Sequence, residues 1–543
     1  MNRSLLTLVI FLLTASLNAQ TQHRFSRADT LRGMLRPERT CFDVHYYDLE
    51  IKVDAKLRRI AGSNKIHFLA VEDFRELQLD LFANMEIAEI TWQGQKLAFS
   101  REFNAVFVRF PERILKGSKQ MIEVLYAGAP SVAKRPPWDG GFVWEKDPNG
   151  NDWVNVACEG FGASSWWPLK DHLSDEPDSL QFSVIYPRGA YVVSNGNLRR
   201  TEDLPGEFTK WVYFVGNPIN SYNLSLQIGD YVKFTDVYKN TSGYHELKYY
   251  VLKDNKEAAV AHFKQVKGML ECFEKYFGEY PFWSDGYALV ETSYWGMEHQ
   301  SGIAYGNNYK NNAFDFDFII IHESGHEWFG NSISVADHAD MWVHEAFTTY
   351  MEAIYVEHFH GQEQMIAYLN TQRPLIGNKM PIQGVKDVNF EDWPDADMYY
   401  KGSWMLHTLR NIVGDDERWF AMLKQMCEDY RHSIVDSKTI IDFVSWKLGE
   451  DYSAFFAEYL NHVGNPILEY KIERKKRRST LSYRWVANEA NFNMPIDISM
   501  YGETLRLQPT TEWQSITEKK LSEKNLEFDP DWGLYEVRNV SNQ

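Results

Sequence analysis

The chain has 543 residues, of which 44% are apolar and 15% aromatic, with 33 glycines and 19 prolines. This composition excludes collagen-like, low-complexity and largely disordered proteins, and the length predicts roughly three or four domains. The formal net charge of −18 argues against a nucleic-acid partner, because an acidic surface repels phosphate groups.

The first residues have the three parts of a secretory signal peptide. A positive charge at Arg3 is followed by a mostly apolar run over residues 5–15 and a small-residue exit over residues 17–19. We expect cleavage after Ala19 and export to the periplasm or the extracellular space. The alternative, an N-terminal membrane anchor, needs about 20 apolar residues. No later segment of the sequence predicts a membrane span.

Residues 46–251 form short runs in which apolar and polar residues alternate. Turn signals such as Asn195-Gly196 and Pro205-Gly206 separate these runs. We therefore predict a β-sandwich-like domain over residues 20–253. After Asp254-Asn255, apolar residues recur at steps of three and four from Val260 to Phe277, which predicts one amphipathic helix.

Helical patterns dominate the next segment and then end. They cover residues 315–332, 344–359, 401–413, 437–448 and 452–460. We predict a mostly helical catalytic domain over residues 254–466. Alternation returns at residues 481–486, 496–500 and 505–507, which predicts a small β module over residues 467–543. The fold class is multidomain α+β. The four cysteines allow one disulfide or buried free thiols.

The strongest chemical signal is the HExxH motif at residues 322–326. On a helix, His322 and His326 share a face, so both imidazoles can reach one zinc ion at about 2.0–2.1 Å. Glu323 lies one residue along and can lean toward a metal-bound water. A bare motif also arises by chance, and the alternative is two ordinary helix histidines.

A second helical pattern supplies a third candidate ligand. Glu345 follows His326 with 18 residues between them. Two histidines and one glutamate give a catalytic zinc site whose fourth position is open. Structural zinc sites prefer four protein ligands, usually with cysteine, and no cysteine lies nearby in the sequence. We predict one catalytic Zn²⁺.

At these residues the chain resembles the zinc aminopeptidases of the aminopeptidase N and leukotriene hydrolase type, the gluzincins. The family's metal motif continues as Trp-Phe-Gly-Asn, which residues 328–331 repeat, and its third ligand has a context similar to residues 342–347. The resemblance covers most of the mature chain. It implies a thermolysin-like catalytic domain in which His322, His326 and Glu345 bind zinc and Glu323 is the general base.

Three further stretches match the family. Its Gly-x-Met-Glu-Asn motif falls on residues 295–299, and its Tyr-x-Lys-Gly motif falls on residues 399–402. The second match makes Tyr399, rather than Tyr400, the catalytic tyrosine. The stretch that begins at Cys158-Glu159 resembles another family segment. The resemblance implies that Glu298, Glu159 and Gly296 bind the substrate amine.

The chain also departs from the family pattern. Trp295 replaces the first glycine of the family's Gly-x-Met-Glu-Asn motif, and His299 replaces its asparagine. His344 replaces the asparagine that precedes the third zinc ligand in the family. These changes bear on substrate range more than on metal binding. The family's large C-terminal helical domain is not evident after residue 466, so we expect a short member with a more open active site.

Together these features predict a zinc-dependent aminopeptidase that removes the N-terminal residue from peptides with a free N-terminus through a zinc-activated water. Tyr399 would stabilise the oxyanion, and Glu352 is a candidate partner for a metal ligand, or else an exposed acid. Three alternatives stay open: a thermolysin-like endopeptidase, an epoxide hydrolase of the same family, and a non-catalytic peptide-binding protein with a vestigial zinc site. No residue indicates an oligomeric state.

Overall fold

The computed structural model describes residues 25–476, 478–519 and 521–541. The predicted signal peptide lies outside these residues. Among the helices of the described ranges, none combines the length and the apolar character that a bilayer crossing requires.

The structure is multidomain α+β, as predicted, with a β-rich N-terminal part, a helical central part and a C-terminal part made of strands. The helices are α1 (Arg27–Gly33), α2 (Pro37–Thr40), α3 (Lys256–His262), α4 (Gln265–Phe277), α5 (Phe318–Gly325), α6 (Trp342–His360), α7 (Gln362–Gln372), α8 (Tyr400–Val413), α9 (Asp416–Asp429), α10 (Ser437–Leu448) and α11 (Ser453–Leu460).

The strands alternate with turns over most of the rest of the described chain. They are β1 (Phe42–Asp54), β2 (Arg59–Ala70), β3 (Phe74–Asp80), β4 (Met85–Trp92), β5 (Gln95–Lys96), β6 (Ala98–Glu102), β7 (Ala105–Ile114), β8 (Lys119–Gly128), β9 (Gly141–Lys146), β10 (Asp152–Ala157), β11 (Ser179–Pro187), β12 (Tyr191–Val193), β13 (Asn197–Leu204), β14 (Phe208–Val215), β15 (Gln227–Gly229), β16 (Tyr231–Lys239), β17 (Tyr244–Leu252), β18 (Tyr287–Glu291), β19 (Gly296–Met297), β20 (Ile303–Tyr305), β21 (Ile333–Val335), β22 (Ser433–Val435), β23 (Ile467–Lys475), β24 (Arg478–Val486), β25 (Ile496–Met500), β26 (Glu503–Leu507), β27 (Gln514–Lys519), β28 (Leu526–Glu527) and β29 (Glu536–Asn539).

The N-terminal part is organised around a sheet of order β13-β14-β11-β1-β2-β8-β4-β5. Strand β1 shows why these residues form a sheet. Leu49, Ile51 and Val53 are buried, whereas Lys52 and Asp54 between and after them are exposed. That period of two places one face of the strand in the core. The buried apolar side chains of this part are continuous with those of the helical part.

A second sheet connects the β-rich part to the helices. Its order is β16-β17-β18-β20-β19, so it contains strands from both sides of residue 254. Strand β19 lies at its edge and pairs with β20, the neighbour it has among the described residues. The predicted domain limits at residues 253/254 and 466/467 stay predictions.

Two predicted helices differ from the structure, one by a break and one in length. The helix predicted over Val260 to Phe277 is two helices, α3 and α4, because the chain turns at Phe263 and packs that ring 5.2 Å from Tyr249 and 5.0 Å from Tyr305. The helix predicted over residues 315–332 is only α5. It begins after Asp317, whose side chain accepts a hydrogen bond from the Ile319 N–H.

The C-terminal strands form two small sheets, of order β27-β24-β23-β29 and β26-β25-β28. The predicted alternation at residues 481–486 and 496–500 falls on β24 and β25. The four cysteines Cys41, Cys158, Cys272 and Cys427 are buried free thiols, which decides between the two alternatives left by the sequence.

Candidate active site

Helices α5 and α6 bring the predicted metal ligands together. His322 lies on the last turn of α5, His326 is the residue that ends this helix, and Glu345 lies in the first turn of α6. Gly325 permits the close approach of the two helices, since a Cβ there would lie 3.0 Å from Thr348 Cγ2. The two histidines and the glutamate therefore meet although α5 spans only residues 318–325.

The geometry of the three side chains fits a zinc ion. The Nε2 atoms of His322 and His326 are 3.2 Å apart, and each lies 3.5 Å from Glu345 Oε2. Tetrahedral bonds of about 2.0–2.1 Å place zinc ligands roughly 3.3 Å from one another. All three residues are buried, and Glu345 Oε2 has no hydrogen-bond partner within the described residues. A buried carboxylate oxygen with no partner is costly unless a cation binds it.

Hydrogen bonds behind the histidines fix the direction of both rings. His322 donates from Nδ1 to Glu352 Oε1 at 2.6 Å, and His326 donates from Nδ1 to the Phe329 carbonyl at 2.9 Å. Both Nε2 atoms consequently face Glu345. Glu352 is 1% exposed and accepts a second hydrogen bond from Tyr368, so the predicted contact with a histidine is confirmed and the exposed-acid alternative is wrong.

The turn after His326 depends on a glycine. Gly330 has φ of +134°, and a Cβ there would lie 3.0 Å from His326 Nδ1. This explains in physical terms why a glycine follows Trp328-Phe329 at this place. Asn331, the next residue, donates to the Glu298 carbonyl at 2.9 Å and so ties this turn to the stretch 295–299.

Glu323 lies beside the edge strand β19. A Cβ on Gly296 would lie 2.7 Å from Glu323 Oε1, so the glycine allows this close packing. Glu298, Glu323 and His326 each offer an atom within 4.8 Å of the other two. Burial, opposed by the charge of His322, raises the pKa of Glu323 to about 7 in the absence of a cation. A carboxyl group with that pKa can accept and return a proton near neutral pH.

Glu298 and Glu159 bring two carboxyl groups to the same cleft. Glu298 is 3% exposed, and its Oε1 accepts a hydrogen bond from the Tyr222 hydroxyl at 3.0 Å. Desolvation, followed by the charge of Glu298, raises the pKa of Glu159 well above its ordinary value. Two carboxyl groups in one poorly solvated cleft repel each other and favour a cation between them. Tyr222 belongs to no motif, so sequence patterns did not point to it.

Tyr399 precedes α8 and lies at the wall of the cleft. Its ring centroid is 6.1 Å from that of His322. Burial and the charge of Glu345 raise the pKa of its hydroxyl, so the group stays protonated and can donate a hydrogen bond. Tyr400 also lines the cleft.

The two residues that complete the Tyr-x-Lys-Gly motif anchor the start of α8. Lys401 Nζ donates to the carbonyl groups of His462 and Gly464 at 3.1 and 2.9 Å. A Cβ on Gly402 would lie 2.5 Å from Ala346 Cβ, the residue after Glu345. The motif therefore holds Tyr399 at a fixed place relative to α6.

Two of the three departures from the family pattern are buried packing residues. His344 accepts a hydrogen bond from the Val335 N–H at 3.1 Å, and burial lowers its pKa to about 3. Burial also lowers the pKa of His299 to about 3. Both rings are consequently neutral. Trp295, the third departure, is 44% exposed at the mouth of the cleft.

All eight predicted site residues line one cleft of about 450 Å³. They are His322, His326, Glu345, Glu323, Tyr399, Glu298, Glu159 and Gly296. The β-rich part adds Pro137 and Trp138, which the sequence did not identify. The arrangement brings a candidate cation site, a proton acceptor, a hydroxyl donor and a pair of carboxyl groups into a single cavity.

Comparison with known proteins agrees with this description. The peptidase family M1 domain matches residues 262–459. Glutamyl aminopeptidase of Rattus norvegicus is 21% identical over 91% of this chain and 56% of its own length. Probable aminopeptidase 1 of Sulfurisphaera tokodaii is 23% identical over 78% of this chain and 54% of its own length. The chain thus spans about half the length of these curated relatives.

A solved structure shares the fold. An M1 zinc metallopeptidase mutant from Deinococcus radiodurans, crystallised with a Tyr-Ser-Ala substrate, superposes with a TM-score of 0.66 at 20% identity. The match covers 78% of this chain and 95% of the other. Residues 262–459 therefore match the peptidase family M1 domain, and the chain shares its fold with a solved M1 zinc metallopeptidase.

Proposed function

We propose that the protein is a zinc-dependent aminopeptidase that binds one Zn²⁺ and releases the N-terminal residue of peptides. The observation that carries the proposal is the meeting, in one cleft, of the His322–His326–Glu345 triad with the carboxylates of Glu298 and Glu159. The relatives that are named aminopeptidases support the same activity.

His322, His326 and Glu345 would hold the zinc ion. When bound, zinc supplies a Lewis acid that polarises the scissile carbonyl and makes water a nucleophile at neutral pH. Glu323 takes a proton from the attacking water and passes it to the nitrogen of the leaving amine. The Tyr399 hydroxyl donates a hydrogen bond to the oxygen that becomes negative during the attack.

The carboxylates select the end of the peptide. The ammonium group of a free N-terminus neutralises the charge of Glu298 and Glu159, whereas an acetylated or internal residue leaves the buried Glu298 and the half-buried Glu159 without a cation. This disfavours the endopeptidase alternative. The protonated Tyr399 and the proton-accepting Glu323 disfavour a protein that only binds peptides, since binding needs neither group.

Removal of the metal tests the proposal directly. We expect a chelator to abolish the release of amino acids from aminoacyl amides and zinc to restore it, with about one zinc ion bound per chain. Metal content measured by mass spectrometry should fall strongly in Glu345→Ala, and the exposed-site variant Glu363→Gln should retain it. Activity that persists when the measured zinc is gone would contradict the metal requirement.

Glu298→Gln tests the choice of the free N-terminus. Because the variant removes a charge that pairs with the ammonium group, we expect kcat/KM for free-amine peptides to fall by about tenfold or more. The measurement compares each free peptide with its N-acetylated form in the wild-type protein and in the variant. Equal cleavage of both forms by the wild-type protein would favour an endopeptidase.

We also propose that the chain is exported and that residues 1–19 are removed. The pattern of charge, apolar run and small residues at the N-terminus supports this. N-terminal sequencing of the protein recovered from the periplasm or medium should begin at Gln20. A protein recovered there with Met1 intact would contradict the cleavage.

A further inference from the structure

A row of aromatic rings leads from the candidate metal ligands to the mouth of the cleft. The Phe318 ring centroid lies 5.2 Å from that of His322 and 5.6 Å from that of Trp295. Trp295 lies 6.1 Å from Trp138, which comes from the β-rich part. Exposure increases outward, to 44% for Trp295 and 69% for Trp138. We call Phe318, Trp295 and Trp138 the aromatic shelf.

The shelf is held in place and is in contact with the cleft. Trp295 Nε1 donates to Asn307 Oδ1 at 3.0 Å, which orients the indole. All three shelf residues line the same cleft as Glu298 and Glu323. Large exposed aromatic side chains that are rimmed by polar groups at a cleft are typical of binding surfaces.

The edge strand sets the direction of a bound peptide. Strand β19 pairs on one side with β20, and an extended peptide can add to its other side. Glu298, just after β19, would hold the ammonium group at one end. The rest of the peptide then runs from Glu298 back past Gly296 toward Trp295 and the opening. The residue that follows the cleaved bond is thereby brought to the shelf.

Resting on the proposed function, we infer that the aromatic shelf binds the side chain of the second residue of the peptide. The protein then prefers substrates with an aromatic or large apolar second residue over substrates with glycine there. Trp295 carries this preference at the position where the family pattern has a glycine, and Trp138 extends it toward solvent. Flat aromatic faces stack on such side chains and remove their apolar surface from water.

The test uses tripeptides alanyl-X-alanine in which X is glycine or tryptophan. For the full-length wild-type protein with zinc we expect kcat/KM for the tryptophan peptide to exceed that for the glycine peptide by about tenfold. Trp295→Ala and Trp138→Ala should each lower this ratio by roughly threefold or more. The matched control is Trp446→Ala on α10, which removes an indole that is 70% exposed outside the cleft and should leave the ratio unchanged.

Peptide binding gives a second readout that does not depend on turnover. Calorimetric titration of Glu323→Gln with both peptides should show tighter binding of the tryptophan peptide, and Trp295→Ala added to that variant should remove the difference. Equal kcat/KM for both peptides, or a ratio that neither shelf substitution changes, would overturn the inference while leaving aminopeptidase activity intact. Shelf-dependent binding without any release of alanine would instead support the shelf and contradict the proposed function.

Discussion

Glu323→Gln is expected to lower kcat by about three orders of magnitude, within the range that general acid–base groups contribute. Glutamine has nearly the same shape but cannot take a proton from water or return it to the leaving amine. Glu298, Glu323 and His326 each offer an atom within 4.8 Å of the other two, and Glu323 is 7% exposed, so the substitution removes the carboxyl group that we propose as the proton carrier of the reaction.

The experiment must separate chemistry from metal binding. We expect Glu323→Gln to bind zinc as well as the wild-type protein does, because the triad of His322, His326 and Glu345 is complete without it. Zinc content and kcat are therefore measured on the same sample, and Glu363→Gln on α7 serves as the matched control. Loss of zinc together with activity would show that Glu323 is a ligand and would contradict its role as the general base.

The second large effect is expected from Tyr399→Phe, which should lower kcat by about 10²–10³-fold with a much smaller change in KM. The hydroxyl acts on an oxygen that is negative only during the reaction, so its loss should leave substrate binding nearly unchanged. The raised pKa of Tyr399 keeps this donor protonated through the neutral and moderately alkaline range.

Two other tyrosines, Tyr244 and Tyr400, provide the controls for this prediction. Tyr244→Phe removes a hydroxyl from a ring that is 74% exposed outside the cleft and should not change kcat. Tyr400→Phe tests the assignment itself, because Tyr400 also lines the cleft. A larger loss of kcat in Tyr400→Phe than in Tyr399→Phe would show that the catalytic hydroxyl belongs to the second tyrosine.

The metal triad could be predicted from the sequence because it depends on local spacing. His322 and His326 need only one helical turn to share a face, and α5 supplies that turn although it is ten residues shorter than predicted, 8 rather than 18 residues. The bounds of α5 could not be predicted from the apolar pattern, because the helix begins at the Asp317 cap, whose carboxylate also accepts a hydrogen bond from the Tyr305 hydroxyl on β20.

Residues that reach the cleft from distant parts of the chain could not be predicted from sequence patterns. Tyr222 contacts Glu298 from 76 residues away, and Trp138 meets Trp295 from a loop before β9. Neither belongs to a motif or a periodic pattern. The sequence shows that His344 replaces the asparagine of the family pattern, but it does not show the structural role of this histidine. In the structure the ring of His344 accepts a hydrogen bond from the Val335 N–H.

The sheet of order β16-β17-β18-β20-β19 limits where the chain can be divided into fragments that fold. A fragment that starts at residue 254 would lose β16 and β17, and the backbone N–H and C=O groups of β18 would lose the hydrogen-bond partners that β17 provides. Exposed edge strands of this kind pair with strands of other molecules, and the protein then aggregates. We therefore expect the segment that begins at residue 254 to need β16 and β17 in order to stay folded and in solution.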